Sequence, residues 1–100
     1  MGRRLRPEES FQSTVVALAR LRGWRVYHTY DSRRSNHGWP DLFLCHPASG
    51  RVVVRELKVP PNTVTPEQRA WLEALRACGV DASVWTPDDW KFIERTLEDR

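Results

Sequence analysis

The sequence has few of the features that mark exported, membrane-bound or zinc-binding proteins. Its 100 residues include only two cysteines, Cys45 and Cys78, and these do not have the spacing of metal ligands. No apolar run approaches the roughly 20 residues that a membrane span requires. No signal-peptide core follows the basic start of the chain. We therefore expect an intracellular, cytoplasmic protein whose two cysteines are reduced and buried.

Signatures of several other enzyme classes are also missing. The sequence has no glycine-rich phosphate loop and no local signature of a Ser/His/Asp triad, so nothing in it indicates an organic cofactor. The charge is only mildly basic, with 16 Lys and Arg against 13 Asp and Glu, a net charge of +3. This balance suits a polyanionic partner but does not require one. The basic run at residues 3–6 is typical of a solvated tail.

Proline, glycine and the apolar periodicity predict one α/β domain over residues 1–100, with residues 1–6 as a basic tail. The expected order is helix, three strands, helix, strand, helix. Helices are predicted to begin near Pro7, Pro66 and Pro87, because proline fits the first helical turn. The predicted strands cover residues 24–29, 41–45, 51–58 and 80–85. Four tryptophans are predicted to lie in the core: Trp24, Trp71, Trp85 and Trp90.

The second and third predicted strands form a hairpin around a Pro/Ala/Ser/Gly turn. If the turn is centred between Ala48 and Ser49, Asp41 and Glu56 face each other across an antiparallel pair. Two carboxylates so placed repel each other unless a cation lies between them. Lys58 falls on the same strand face as Glu56, because strand side chains alternate. Asp, then Glu-x-Lys, is therefore a candidate set for metal-dependent phosphodiester hydrolysis, although the alternative is an exposed edge strand with a weak Glu–Lys pair.

The motifs around this set form one ordered pattern along nearly the whole chain, from about residue 8 to residue 90. The pattern consists of Gly38-Trp-Pro-Asp-Leu-Phe-Leu44, Arg55-Glu-Leu-Lys58, Thr65-Pro-x-Gln-x-x-Trp-Leu72, Gly79 and Val84-Trp85. It resembles the PD-(D/E)xK nuclease superfamily and, within it, the VRR-NUC (virus-type replication-repair nuclease) family, in its stand-alone phage or prophage form. The resemblance implies a restriction-endonuclease-like core of order αβββαβα with a mixed sheet flanked by helices. It also implies Mg²⁺ or Mn²⁺, a homodimer, and structure-selective cutting of DNA such as Holliday junctions.

The resemblance also assigns roles to the residues of the candidate set. Asp41 and Glu56 would ligate the metal, the Leu57 carbonyl would be a further ligand, and Lys58 would be the catalytic lysine. The number of metal ions is left open.

Two helix residues complete the implied site. The first-helix glutamate of the family matches Glu8 through Glu-x-x-Phe-Gln, and Glu8 shares a helix face with Phe11, which favours it over Glu9 as a metal ligand. The family's glutamine matches Gln68 as a catalytic residue. Gln68 also suits a capping box with Thr65, so a purely structural role stays open.

Four residues are candidates for nucleic-acid binding. His28 lies near the end of its predicted strand, where it can touch substrate or serve only in packing. Arg33, Arg34 and Ser35 lie on the loop that leads to Asp41, where arginine and serine side chains suit phosphate contacts. The leading hypothesis is a metal-dependent endodeoxyribonuclease with branched DNA as substrate. The alternative is a non-catalytic DNA-binding module that keeps the nuclease fold.

Overall fold

The computed structural model describes residues 6–29 and 37–98. Its elements follow the predicted order. They are α1 (Pro7–Leu21), β1 (Arg25–His28), β2 (Leu42–His46), β3 (Arg51–Leu57), α2 (Pro66–Ala77), β4 (Asp81–Trp85) and, after a short 3₁₀ turn (Pro87–Asp89), α3 (Trp90–Thr96). None of the helices in these two ranges is long and apolar enough to cross a membrane.

The first two helices begin where their sequences predict. Pro7 occupies the first turn of α1, and Glu8 and Glu9 complement the positive end of the helix dipole. In α2 the Thr65 side chain accepts a hydrogen bond from the Gln68 backbone N–H, and the Gln68 side chain accepts one from the Thr65 N–H. This reciprocal capping box fixes the start of α2.

The four strands form one mixed sheet of order β1-β2-β3-β4. The pairs β1–β2 and β2–β3 are antiparallel, whereas β3 and β4 are parallel and joined through α2. In the hairpin Leu42 pairs with Arg55 and His46 with Arg51. This is the predicted register. Because β3 is an interior strand, Glu56 within it and Lys58 just past its end do not belong to an exposed edge.

Helices cover both faces of the sheet, and each face has its own apolar cluster. In the larger cluster, Val15 of α1 and Ile93 of α3 pack with alternate strand residues such as Leu44 and Val53. The smaller cluster lies under α2 and joins Leu72 to strand residues on the opposite face of the sheet. Val53 and its neighbour Val54 fall in different clusters, as strand alternation requires.

Three side chains differ from the sequence prediction. Cys45, predicted to be buried, is half-buried. Trp71 is half-buried outside the core, edge-on to Trp39, and its Nε1 donates to the His37 carbonyl. Cys78 is exposed. It is the C-cap residue directly after α2. Trp24 and Trp85 are buried as predicted, and Trp90 packs half-buried against the larger cluster.

Candidate metal-dependent nuclease site

Asp41 and Glu56 lie at one end of the β2–β3 hairpin. Asp41 directly precedes β2, and the observed pairing of Leu42 with Arg55 brings Asp41 opposite Glu56. The backbone around Asp41 is fixed, since the Asp41 carbonyl accepts the Thr29 N–H at 3.0 Å. Its Oδ2 accepts the Leu57 N–H at 2.8 Å. The hairpin register and this hydrogen bond together fix the position of the Asp41 carboxyl.

The two carboxyl groups share a poorly solvated environment. Glu56 is only 2% exposed. Burial, followed by the charge of Asp41, raises the pKa of Glu56 to about 8. Burial also raises the pKa of Asp41, against the lowering effect of the Leu57 hydrogen bond. The buried Oε1 of Glu56 has no hydrogen-bond partner within the described ranges. A buried, unpartnered carboxylate oxygen beside a second carboxyl is a strong site for a cation.

Lys58 completes the set that the sequence predicts. Its Nζ lies 3.4 Å from Glu56 Oε2, and its side chain keeps 16% of its exposure. The Lys58 N–H also donates to the Trp85 carbonyl at 3.0 Å, which continues the parallel pairing beyond Leu57. The ammonium is therefore held beside the carboxyl pair and still reaches the open cavity.

The carboxyl pair and Lys58 line a cavity of about 480 Å³ between the beginnings of α1 and α2. The other residues that line it are Glu8, Glu9, Gln12, Ser13, Leu57 and Gln68. The predicted residues Glu8 and Gln68 thus reach the same cavity as Asp41, Glu56 and Lys58, although they come from two different helices. The cavity is open enough to admit a phosphate group.

Glu8 has a contact that the sequence does not reveal, whereas Gln68 makes the predicted one. Glu8 Oε1 accepts a hydrogen bond from Asn62 Nδ2 at 3.1 Å, which ties the start of α1 to the loop after Lys58. The side-chain oxygen of Gln68 is engaged with Thr65. Glu9 lies near Arg6, with 3.8 Å between Oε1 and Nε. The roles of Glu8 as a metal ligand and of Gln68 as a catalytic residue stay predictions.

The donor set fits a hard divalent cation. In the described ranges no three His, Cys, Asp or Glu side chains cluster closely enough to form a metal site on their own. Asp41 and Glu56 instead provide two carboxylates that face each other across the hairpin, and the Leu57 carbonyl belongs to the residue after Glu56. Mg²⁺ is commonly bound through one or two carboxylates and keeps water and substrate phosphate as its other ligands. Asp41 and Glu56 are therefore the pair that would hold Mg²⁺ or Mn²⁺.

Of the four predicted nucleic-acid contacts, only His28 lies within the described residues. His28 is half-buried, and its Nδ1 lies 3.4 Å from Gln12 Nε2. It lines a second cavity that shares Gln12 and Ser13 with the first, and it is not among the described residues that line the first. Arg33, Arg34 and Ser35 fall outside the described residues.

Arg55 is a supporting residue that the sequence analysis does not identify. It is 2% exposed, pairs with Asp81 at 2.9 Å and lies over the Trp85 ring at 4.7 Å. It precedes Glu56 and binds β3 to β4 beneath the site. The only sequence signal is an arginine directly after three valines in β3, a position that a single sequence does not separate from an exposed one.

Comparison with known proteins identifies the family. Residues 6–88 match the model of the VRR-NUC domain. The chain belongs to the VRR-NUC family. A curated relative, the Fanconi-associated nuclease 1 homolog of Caenorhabditis elegans, is 40% identical over 52 residues. This match covers 52% of the chain but only 6% of that relative, so the comparison concerns a small part of a much longer protein.

Solved structures share the fold of this VRR-NUC domain. One VRR-NUC domain structure superposes with a TM-score of 0.72 at 23% identity, over 90% of this chain and 92% of the other. A second VRR-NUC domain protein gives 0.68 at 19% identity, over 97% and 94%. Hjc, a Holliday junction resolvase from Archaeoglobus fulgidus, gives 0.56 at 15% identity, over 78% and 67%. The mixed sheet flanked by helices is thus common to VRR-NUC domains and to a junction resolvase.

Proposed function

We propose that this VRR-NUC domain is a Mg²⁺- or Mn²⁺-dependent endonuclease that hydrolyses phosphodiester bonds in branched DNA. Nuclease families of this fold generally use divalent metal ions, and a nuclease domain implies DNA as its substrate. The observation that carries the proposal is the buried Glu56 opposite the half-buried Asp41, with Lys58 beside them. As a purely structural arrangement this pair is costly, because two carboxyl groups lose solvent and face each other. In a metal site the same arrangement is useful.

The residues have separable tasks in this proposal. Asp41 and Glu56 would hold the cation, with Asp41 oriented by the Leu57 N–H. When bound, the cation supplies Lewis acidity toward the scissile phosphate. The Lys58 ammonium, at 3.4 Å from Glu56, is placed to orient the attacking water and to stabilise charge that develops on the phosphate oxygens.

The preference for branched DNA and a homodimeric state also form part of the proposal. The structural likeness to a Holliday junction resolvase supports the fold, and a two-fold dimer matches the symmetry of a four-way junction. A solution mass of twice 11.7 kDa would support the dimer. A solution mass of 11.7 kDa at the concentration used for cleavage would contradict the homodimer.

A cleavage panel tests the function. The purified chain is incubated with a four-way junction, a flap, a fork, a nicked duplex and an intact duplex, with Mg²⁺, with Mn²⁺ or with chelator. We expect cutting of at least one branched DNA only when metal is present. Lys58→Ala and Asp41→Asn should abolish it. Lys91→Ala is a matched control, because Lys91 is an exposed lysine on α3.

The panel can also contradict the proposal. Undiminished cutting by both site variants would show that Asp41 and Lys58 are not the catalytic set. Salt-sensitive DNA binding with no metal-dependent cutting of any substrate would instead favour the non-catalytic DNA-binding module.

A further inference from the structure

A groove leads away from the candidate site along the seam between α1 and β1. It begins at Gln12 and Ser13, which line both the site cavity and a second cavity of about 280 Å³. That second cavity is also lined by Val16, Ala17, Arg20 and His28. Arg20 in turn lines a third cavity of about 290 Å³ with Trp24, Arg25 and Val26. Shared residues thus connect the three cavities in series, and we call the second and third cavities, with their junction to the site, the α1–β1 groove.

The sequence of α1 explains why this seam is open. Ser13 and Ala17 are four residues apart and therefore lie on the same helix face, followed by Arg20 one turn later. The side chains of Ser13 and Ala17 are short and leave space between α1 and β1, which larger side chains would fill. The next element, β1, lines the groove with Val26 and His28 on the strand face toward α1. Arg25 precedes Val26 on the opposite face of this edge strand and borders the third cavity at the far end.

The charge along the groove changes sharply with distance from the site. Glu8 and Glu9 line the site cavity, whereas no carboxylate among residues 6–29 and 37–98 lines the second or third cavity. Of the described residues, the ionisable ones that line those two cavities are Arg20, Arg25 and His28. Past Gln12 the α1–β1 groove therefore offers positive charge to an anionic ligand.

Arg20 and Arg25 differ from the arginines that stabilise the fold. Arg22 donates to the Glu94 carbonyl, and Arg76 donates to the Ala82 carbonyl, both at 2.6 Å. Arg55 is paired with Asp81. Arg20 and Arg25 are exposed, and neither side chain makes a hydrogen bond or ion pair with any residue in the described ranges. No residue in those ranges therefore competes with a ligand for the two guanidinium groups.

We propose that the α1–β1 groove binds the backbone of the DNA strand on one side of the scissile phosphate, with Arg20 and Arg25 contacting phosphates. From Gln12 to Arg20, α1 rises about 12 Å at 1.5 Å per residue. Phosphates along one strand of a duplex are about 3.4 Å apart along the axis, so the groove matches about three nucleotides. The inference rests on the proposed function, because it takes the site cavity as the place where DNA is cut.

The competing explanation for Arg20 is structural. It lies in the last turn of α1, where a positive charge complements the helix dipole. Arg95 occupies the same position in α3 and lines none of the three cavities, so Arg95→Ala is a matched control. A purely structural role predicts that Arg20→Ala and Arg95→Ala lower the thermal midpoint alike and leave DNA affinity unchanged.

The test measures binding of the full chain to a fluorescent four-way junction at several salt concentrations, with chelator present so that no cutting occurs. We expect Arg20→Ala and Arg25→Ala each to reduce the slope of log affinity against log salt by about 1. Each should weaken binding about 5- to 10-fold at 0.1 M salt. The double variant should lose about 2 in slope, and Arg95→Ala should match the unsubstituted protein.

The outcomes separate this inference from the proposed function. If the chain binds and cuts DNA while both groove variants keep the original slope and affinity, the groove assignment is wrong and the nuclease proposal stands. If the groove variants lose slope and affinity as expected but the unsubstituted chain cuts no DNA with either metal, the groove assignment stands and the nuclease proposal fails. If the unsubstituted chain binds no DNA, both are overturned.

Discussion

Replacing Glu56 by glutamine tests the electrostatics of the carboxyl pair without changing the shape of the side chain. In the folded chain burial and Asp41 raise the pKa of Glu56 from 4.5 to about 8. The folded state therefore holds a proton that the unfolded state has released anywhere between these two pH values. Stability is highest below pH 4.5 and falls as pH rises toward 8. Glutamine carries no such proton, so Glu56→Gln should not share this loss.

The size of the effect follows from the same numbers. One pKa unit corresponds to about 1.4 kcal/mol, so the stability lost across the window is on the order of 3–5 kcal/mol. Near pH 5 the protonated carboxyl and the carboxamide are nearly isosteric, and the two proteins should have similar free energies of unfolding. Near pH 8 or 9, without metal, Glu56→Gln should be more stable than the unsubstituted protein by most of that amount.

Urea denaturation at pH values from 5 to 9, in chelator, measures this difference. Glu73→Gln, at an exposed position on α2, serves as the control and should follow the unsubstituted protein at every pH. Parallel stability curves for Glu56→Gln and the unsubstituted protein over the whole range would refute the reasoning, because they would mean that folding does not raise the pKa of Glu56.

Two further predictions concern the support of the site. Gly38 has φ +84° and an added Cβ would lie 2.5 Å from the Glu67 backbone, so Gly38→Ala should cost about 3 kcal/mol or more of unfolding free energy. Gly50→Ala, with φ +75° and open space, should cost only about 1 kcal/mol; equal losses in urea denaturation would contradict this. Gln68→Ala and Thr65→Ala should each lose about 1 kcal/mol through the capping box. Only Gln68→Ala should also slow single-turnover cleavage. If Gln68→Ala and Thr65→Ala cleave at the same rate, Gln68 serves only as a helix cap.

Local patterns were sufficient to predict most of the fold. The Thr65 and Gln68 capping box and the hairpin register both depend on residues close in sequence, and the structure confirms both. The interior position of β3 in the sheet was harder to predict, because its pairing with β4 depends on a parallel crossover through α2. Without that pairing an Arg-Glu-x-Lys segment is compatible with an edge strand. This is also why the burial of Arg55 could not be predicted.

The candidate site shows the same division. Alternation along β3 correctly puts Glu56 and Lys58 together, and the register brings Asp41 opposite them. The convergence of α1 and α2 on this point depends on how both helices pack against the sheet, which no local pattern predicts. The resemblance to VRR-NUC proteins supplied Glu8 and Gln68, and both line the site cavity. It supplied neither the Asn62 contact nor the α1–β1 groove.

The central claim is that Asp41 and Glu56 together hold a divalent cation. Calorimetric titration with Mn²⁺ at pH 7, in buffers of different ionisation enthalpy, tests it most directly. At this pH the raised pKa of Glu56 keeps a proton on the pair, so Mn²⁺ binding should release close to one proton. The unsubstituted protein and Asp88→Asn, changed at an exposed residue, should bind alike, whereas Asp41→Asn should bind at least about tenfold more weakly. Equal Mn²⁺ affinity in Asp41→Asn, or no binding to the unsubstituted protein, would contradict the account.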